Sequence, residues 1–71
     1  MTLKDAVEGK EYIIEDIKTD DKELNAFLFS LGCYSGEMIT VVSRMKHVFI
    51  VSIKEGRYGI DKALANAIHI V

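Results

Sequence analysis

Between Lys22 and Leu31 the apolar residues recur every three to four positions, and from Gly36 onward they alternate with polar residues at a period of two. The first spacing belongs to an α-helix and the second to β-strands. Leu24, Phe27, Leu28 and Leu31 stand at i, i+3, i+4 and i+7, which predicts an amphipathic helix over Lys22–Leu31. Asp20 or Asp21 supplies its N-cap, and Glu23 adds an acidic side chain to a first turn where the helix dipole favours one. Gly32, just past the last stripe residue, is expected in the left-handed conformation that stops a helix. Phe29 lies about 140° from Leu24 around the helical wheel and falls outside the stripe.

A strand precedes this helix at Tyr12–Ile17. Tyr12 and Ile14 share a face, whereas Ile17 is out of phase by one residue. Either both faces are partly covered or a bulge lies near Glu15–Asp16. After Gly36, Ile39 and Val41 point one way, and Met38, Thr40 and Val42 the other. A turn at Ser43–Lys46 leads to Val48–Ile53, where Phe49, Val51 and Ile53 alternate with Val48, Ile50 and Ser52. Glu55–Gly56 is read as the next turn, Arg57–Ile60 as a fourth strand and Ile68–Val71 as a fifth. Thr2 caps a helical turn at Leu3–Ala6 that Gly9 ends, and Asp61 caps another at Lys62–Asn66. The pattern therefore predicts a mainly β (α+β) domain spanning residues 1–71. It is a small, partly open barrel of five strands with one helix between strands 1 and 2.

Composition narrows the function classes. The 71 residues allow one domain, and 49% hydrophobic content excludes disorder. Nine basic residues against eleven acidic ones give a net charge of −2, a poor match to a phosphate backbone. The nearest basic cluster is Arg44, Lys46 and His47, diluted by Met45. A single cysteine, Cys33, rules out an intramolecular disulfide and points to a reducing compartment. No run approaches the ~20 apolar residues of a membrane span, and the first residues lack a signal-peptide core, so the expected location is the cytoplasm.

Candidate chemistry is sparse. His47 and His69 stand far apart, without the short spacing of metal motifs. Cys33 follows a helix C-terminus, whose negative potential opposes a thiolate, and is read as core filler. The carboxylates at Glu15–Asp16 and Asp20–Asp21–Glu23 lack the spacing of a calcium loop. No phosphate-binding loop and no nucleophile–base pair stand out, so neither a cofactor, a resident metal nor catalysis is expected. What remains is surface. The alternation leaves Tyr34, Met38, Met45, Val48 and Ile50 outside or at the rim, with one of Phe27 or Phe29. Methionines and aromatics often mark contact sites. Tyr34, Met38, Met45, Val48 and Phe27 are the candidate partner-binding residues.

The order of these signals resembles the FeoA family of ferrous iron transport accessory proteins. The similarity lies in Thr2-Leu3-Lys4-Asp5, Gly9, Ile14 and Ile17, then Leu24, Leu28, Leu31-Gly32, Gly36, Ile39 and Val41. It ends in Ile60-Asp61-Lys62-Ala63-Leu64-Ala65, Ile68 and Ile70. Three places depart from the family pattern. Ser35 stands where a proline commonly precedes the glycine, Phe27 takes a position that is often basic, and the Ser43–His47 turn is short. The resemblance implies an SH3-like barrel that works with FeoB, a membrane iron transporter carrying a cytoplasmic G-protein domain, and that reaches the inner membrane only through that partner. The same module closes iron- and manganese-dependent repressors. That gives an alternative reading, a metal-responsive regulatory domain using His47, His69 or the acidic cluster. An RNA-binding barrel is a third reading, disfavoured by charge.

Overall fold

The computed structural model describes residues 1–71 and begins with a 3₁₀ turn at Leu3–Asp5, then β1 (Glu11–Ile17) and α1 (Lys22–Ser30). β2 (Met38–Arg44), β3 (Val48–Ile53) and β4 (Gly56–Asp61) follow, then α2 (Lys62–Ala67) and β5 (Ile68–Ile70). The strands form one antiparallel sheet in the order β4-β3-β2-β1-β5. The two outermost strands are not paired with each other, so the barrel is open, as expected. Its concave face collects Tyr12 and Ile14 of β1, Ile39 and Val41 of β2, and Phe49, Val51 and Ile53 of β3. Ile60, Ile68, Ile70, Leu3, Ala6, Leu28, Cys33 and Ala65 complete this core. No polar side chain is buried.

The phase break in β1 is a bulge: Ile14 pairs with Ile70, but Asp16 pairs with His69. Ile17 is thereby turned back toward the core, where it packs half-buried. A second irregularity, between Val41 and Ser43 of β2, was not expected. It carries β2 on to Arg44, so the turn falls at Met45–His47 rather than at Ser43–Lys46. Arg44 is accordingly not a free turn cation. Its guanidinium donates to the carbonyl of Lys4 at 2.9 Å and to that of Ala6, and lies 5.2 Å from the Phe49 ring centre. Its backbone N–H donates to the Glu8 carboxylate at 2.7 Å. Arg44 thus straps the N-terminal loop to the sheet.

The β3–β4 turn is also shifted. Ile53 pairs with Gly56, leaving Lys54–Glu55 as a two-residue loop with Lys54 at φ 55°. Gly56 belongs to β4, and its missing side chain leaves room for the Tyr58 ring that lies over it.

Asp21, not Asp20, caps α1, its carboxylate accepting from the N–H groups of Glu23 (3.0 Å) and Leu24 (3.1 Å). At the other end Gly32 takes φ +88°. Its N–H donates to the Phe29 carbonyl and that of Cys33 to the Leu28 carbonyl, the paired bonds of a Schellman stop. The stripe expected to enter the core does so at one residue only. Leu28 is 1% exposed, Phe27 is 49% exposed, and Leu24 and Leu31 are half-buried. The sheet's core is closed by the 3₁₀ turn and α2, so little apolar surface is left for α1 to cover. Cys33 is 1% exposed, and burial pushes its thiol up to about 11.

Two measurements follow. In thermal melts, Leu28→Ala is expected to cost ~2–5 kcal/mol, because it empties the single buried position of α1. Arg44→Lys is expected to cost ~1–2 kcal/mol, since both carbonyls are met by one planar NH2 group of a guanidinium that also lies over the Phe49 ring, and a tetrahedral ammonium reproduces neither the alignment nor the ring contact. For Cys33, only about one thiol in a thousand is ionised at pH 8 in the native state. Alkylation by iodoacetamide should therefore be slow until denaturant is added. The native state holds this proton more tightly than the unfolded chain. Its contribution to stability is thus complete below pH 9 and is lost as the pH rises toward 11. Fast labelling of the folded protein at pH 8 would contradict this.

Candidate docking site

The candidate contact residues fall at two ends of the sheet. Ile39 of β2 pairs with Ile53 of β3, so the start of β2, the end of β3 and the Lys54–Glu55 turn lie together. α1 and the loop after it join this end, because Gly36 donates to the Ile14 carbonyl and Ile14 donates to that of Glu37, each at 2.8 Å. Phe27, Tyr34 and Met38 belong here. Met45 and Val48 flank the β2–β3 turn at the opposite end, with the Met45 N–H donating to the Val48 carbonyl at 2.9 Å. Seven residues of strand at about 3.3 Å each put roughly 20 Å between Met38 and Met45. One small contact patch does not span both.

At the helix end Tyr34 is half-buried and held in place. Its ring lies 5.0 Å from that of Phe29, centre to centre, with a 35° tilt. Its hydroxyl accepts from Lys54 Nζ at 2.9 Å, and that ammonium is 3.6 Å from a Glu37 carboxylate oxygen. The hydrogen bond to Tyr34, followed by the attraction of Glu37, raises the Lys54 pKa. The lysine therefore stays charged throughout the physiological range. Met38 is paired with Ile13 across β1–β2, both exposed on the convex face. Lys54 was missed in the sequence. Its only signal was its place in a tight turn, since nothing local shows that its side chain crosses Gly32 to reach Tyr34. A Cβ on Gly32 would sit 3.2 Å from the Lys54 Cε.

The candidate metal ligands do not gather. His47 is exposed in the β2–β3 turn, and His69 is half-buried on β5 opposite Asp16. The Asp21 carboxylate is engaged in capping, and that of Asp16 accepts from the Ile17 N–H at 2.8 Å. No three His, Cys, Asp or Glu side chains converge on one point. No helix is long and apolar enough to cross a membrane.

The geometry can be set beside known proteins. The FeoA domain family model matches residues 1–71. A crystal structure of an iron uptake regulatory protein, FeoA, superposes with a TM-score of 0.88 at 24% identity, covering 99% of this chain and 93% of that one. The zinc complex of FeoA from Stenotrophomonas maltophilia, described as a prokaryotic SH3 domain protein, gives 0.88 at 17% identity, covering 100% and 89%. A manganese-dependent transcriptional repressor gives 0.91 at 19% identity, where this chain spans 40% of the other. A comparison with curated proteins gave no match. The open five-stranded sheet with its single long helix is SH3-like, and with a family match over its whole length the chain belongs to the FeoA domain family.

Proposed function

We propose that this chain is a cytoplasmic accessory protein of ferrous iron uptake, acting by binding the cytoplasmic part of a FeoB-type membrane transporter. Membership of the FeoA family supports the role in iron transport. The observation that carries the mode of action is the helix end, where the exposed Phe29 ring packs on the fixed Tyr34 ring and where Phe27 and Met38 are also exposed. A tyrosine already held by a hydrogen bond and a neighbouring ring loses little freedom on binding, which makes it a good anchor. The protein works by contact, and the helix end, with exposed Phe27 and Met38 and half-buried Tyr34, forms the contact. Met45 and Val48, at the far end, serve as the comparison pair.

Capture of the transporter's soluble cytoplasmic part by the immobilised chain tests this. Tyr34→Ala is expected to weaken capture by about tenfold or more, with the melting temperature nearly unchanged. Met45→Ala should leave both unchanged. No capture by the unaltered chain, or equal capture by Tyr34→Ala, would refute the proposal.

A second reading, a metal-responsive regulatory domain, draws on one feature: His69 stands directly across from Asp16 on paired strands. Anaerobic calorimetric titration with Fe²⁺ separates the two. Two side chains offer too few ligands for a tight site, so binding no stronger than micromolar is expected. A stoichiometric nanomolar site lost in His69→Ala would favour the second reading.

A further inference from the structure

The apolar stripe of α1 is only partly used by the fold. Leu28 enters the core, whereas Phe27 is 49% exposed and Leu24 and Leu31 are half-buried beside it. Leu31 also lines a shallow open cleft between the end of α1 and the β3–β4 turn, together with Gly32, Ile53, Gly56 and Tyr58. Leu24, Phe27 and Leu31 at i, i+3 and i+7, running into a cleft, form the kind of surface on which amphipathic segments dock.

Charge decides which occupant fits. Glu23 is one helical turn before Phe27, and Glu55 lines the cleft. The negative pole of the α1 dipole, at the carbonyls of its last turn, opens toward the same place. Lys54 also lines the cleft, but its ammonium is engaged with Tyr34 and Glu37. Residues 15–37 and 53–58 together hold seven carboxylates and four basic side chains, Arg57 among them, while the rest of the chain holds four carboxylates and five basic side chains. A second copy docking about a two-fold axis would set this acidic end against itself. An anionic lipid surface would be repelled in the same way.

We infer that the Leu24–Phe27–Leu31 stripe and the adjoining cleft receive a basic amphipathic segment of a partner protein. Its apolar residues cover Phe27 and enter the cleft, and its lysines or arginines face Glu23 and Glu55. The inference rests on the transporter reading in one respect. Cytoplasmic segments flanking membrane spans are enriched in Lys and Arg, so a membrane transporter offers a segment of this kind.

Titration of the ¹⁵N-labelled chain with two short amphipathic peptides tests it, one of leucine and lysine and one of leucine and glutamate. The leucine–lysine peptide should shift amides in residues 23–31 and 53–58. Phe27→Ser should weaken it by about tenfold while the fold melts as before. Reversal of charge in Glu23→Lys/Glu55→Lys should weaken it roughly three- to tenfold and strengthen the leucine–glutamate peptide. Shifts confined to other surfaces, equal affinity for both peptides, or a dimer in sedimentation that buries the same amides would overturn the inference. The peptides contain nothing of the transporter. Normal peptide binding without transporter capture would therefore refute only the transporter reading, and capture without peptide binding at this face would refute only the inference.

Discussion

Between Leu28 and Cys33 the chain ends a helix, reverses through one left-handed residue and re-enters the core. Gly32 makes this reversal at φ +88°, and its two neighbouring hydrogen bonds tie Cys33 back to Leu28 and Gly32 back to Phe29. Leu28 is the only buried side chain of α1, and Cys33 is the next buried side chain after it. The orientation of the helix on the sheet therefore depends on this short stop. So does the Tyr34 anchor, because the Lys54 side chain reaches its hydroxyl by crossing the space a side chain at position 32 would take. A substitution there would combine backbone strain with displacement of the lysine, and helix, cleft and aromatic contact would shift together.

Much of the fold was legible because strand alternation reports burial directly. Tyr12, Ile14, Ile39, Val41, Phe49, Val51 and Ile53 are all buried, as their phase required. The β1 bulge was legible too, since Ile17 broke the alternation with an apolar residue that had to return to the core. The bulge in β2 was silent for the converse reason. Val41 and Val42 are both apolar, and polar Ser43 and Arg44 follow, so an inserted residue leaves no visible break. The β3–β4 turn was misplaced because Gly56 looked like the residue needing a positive φ. Lys54 takes that conformation instead, and Gly56 is used for the room it leaves Tyr58.

The candidate site was legible in kind but not in place. Alternation separates inside from outside, so Met38, Met45 and Val48 were correctly put on the exposed side. It carries no information about which end of a sheet two residues share. That depends on strand pairing, which sets Met38 beside Ile13 and Met45 beside Val48. Tyr34, expected outside or at the rim, is half-buried. Lys54, twenty residues away in sequence, holds it down through a hydrogen bond that no local pattern announces.

Helical periodicity has a limit of the same sort. It identifies the apolar side of α1 but not how much of that side the fold can cover. A chain of 71 residues buries a smaller fraction of its surface than a larger domain does, and here the 3₁₀ turn and α2 already close the sheet's core. The stripe is consequently divided between two tasks. Leu28 holds the helix to the protein, and its neighbour Phe27 is left half in water, where its truncation would cost the fold little. Under the docking proposed above, stability and recognition fall to adjacent residues of a single helix. A substitution at Phe27 can therefore alter that face without loss of the fold, whereas one at Leu28 cannot.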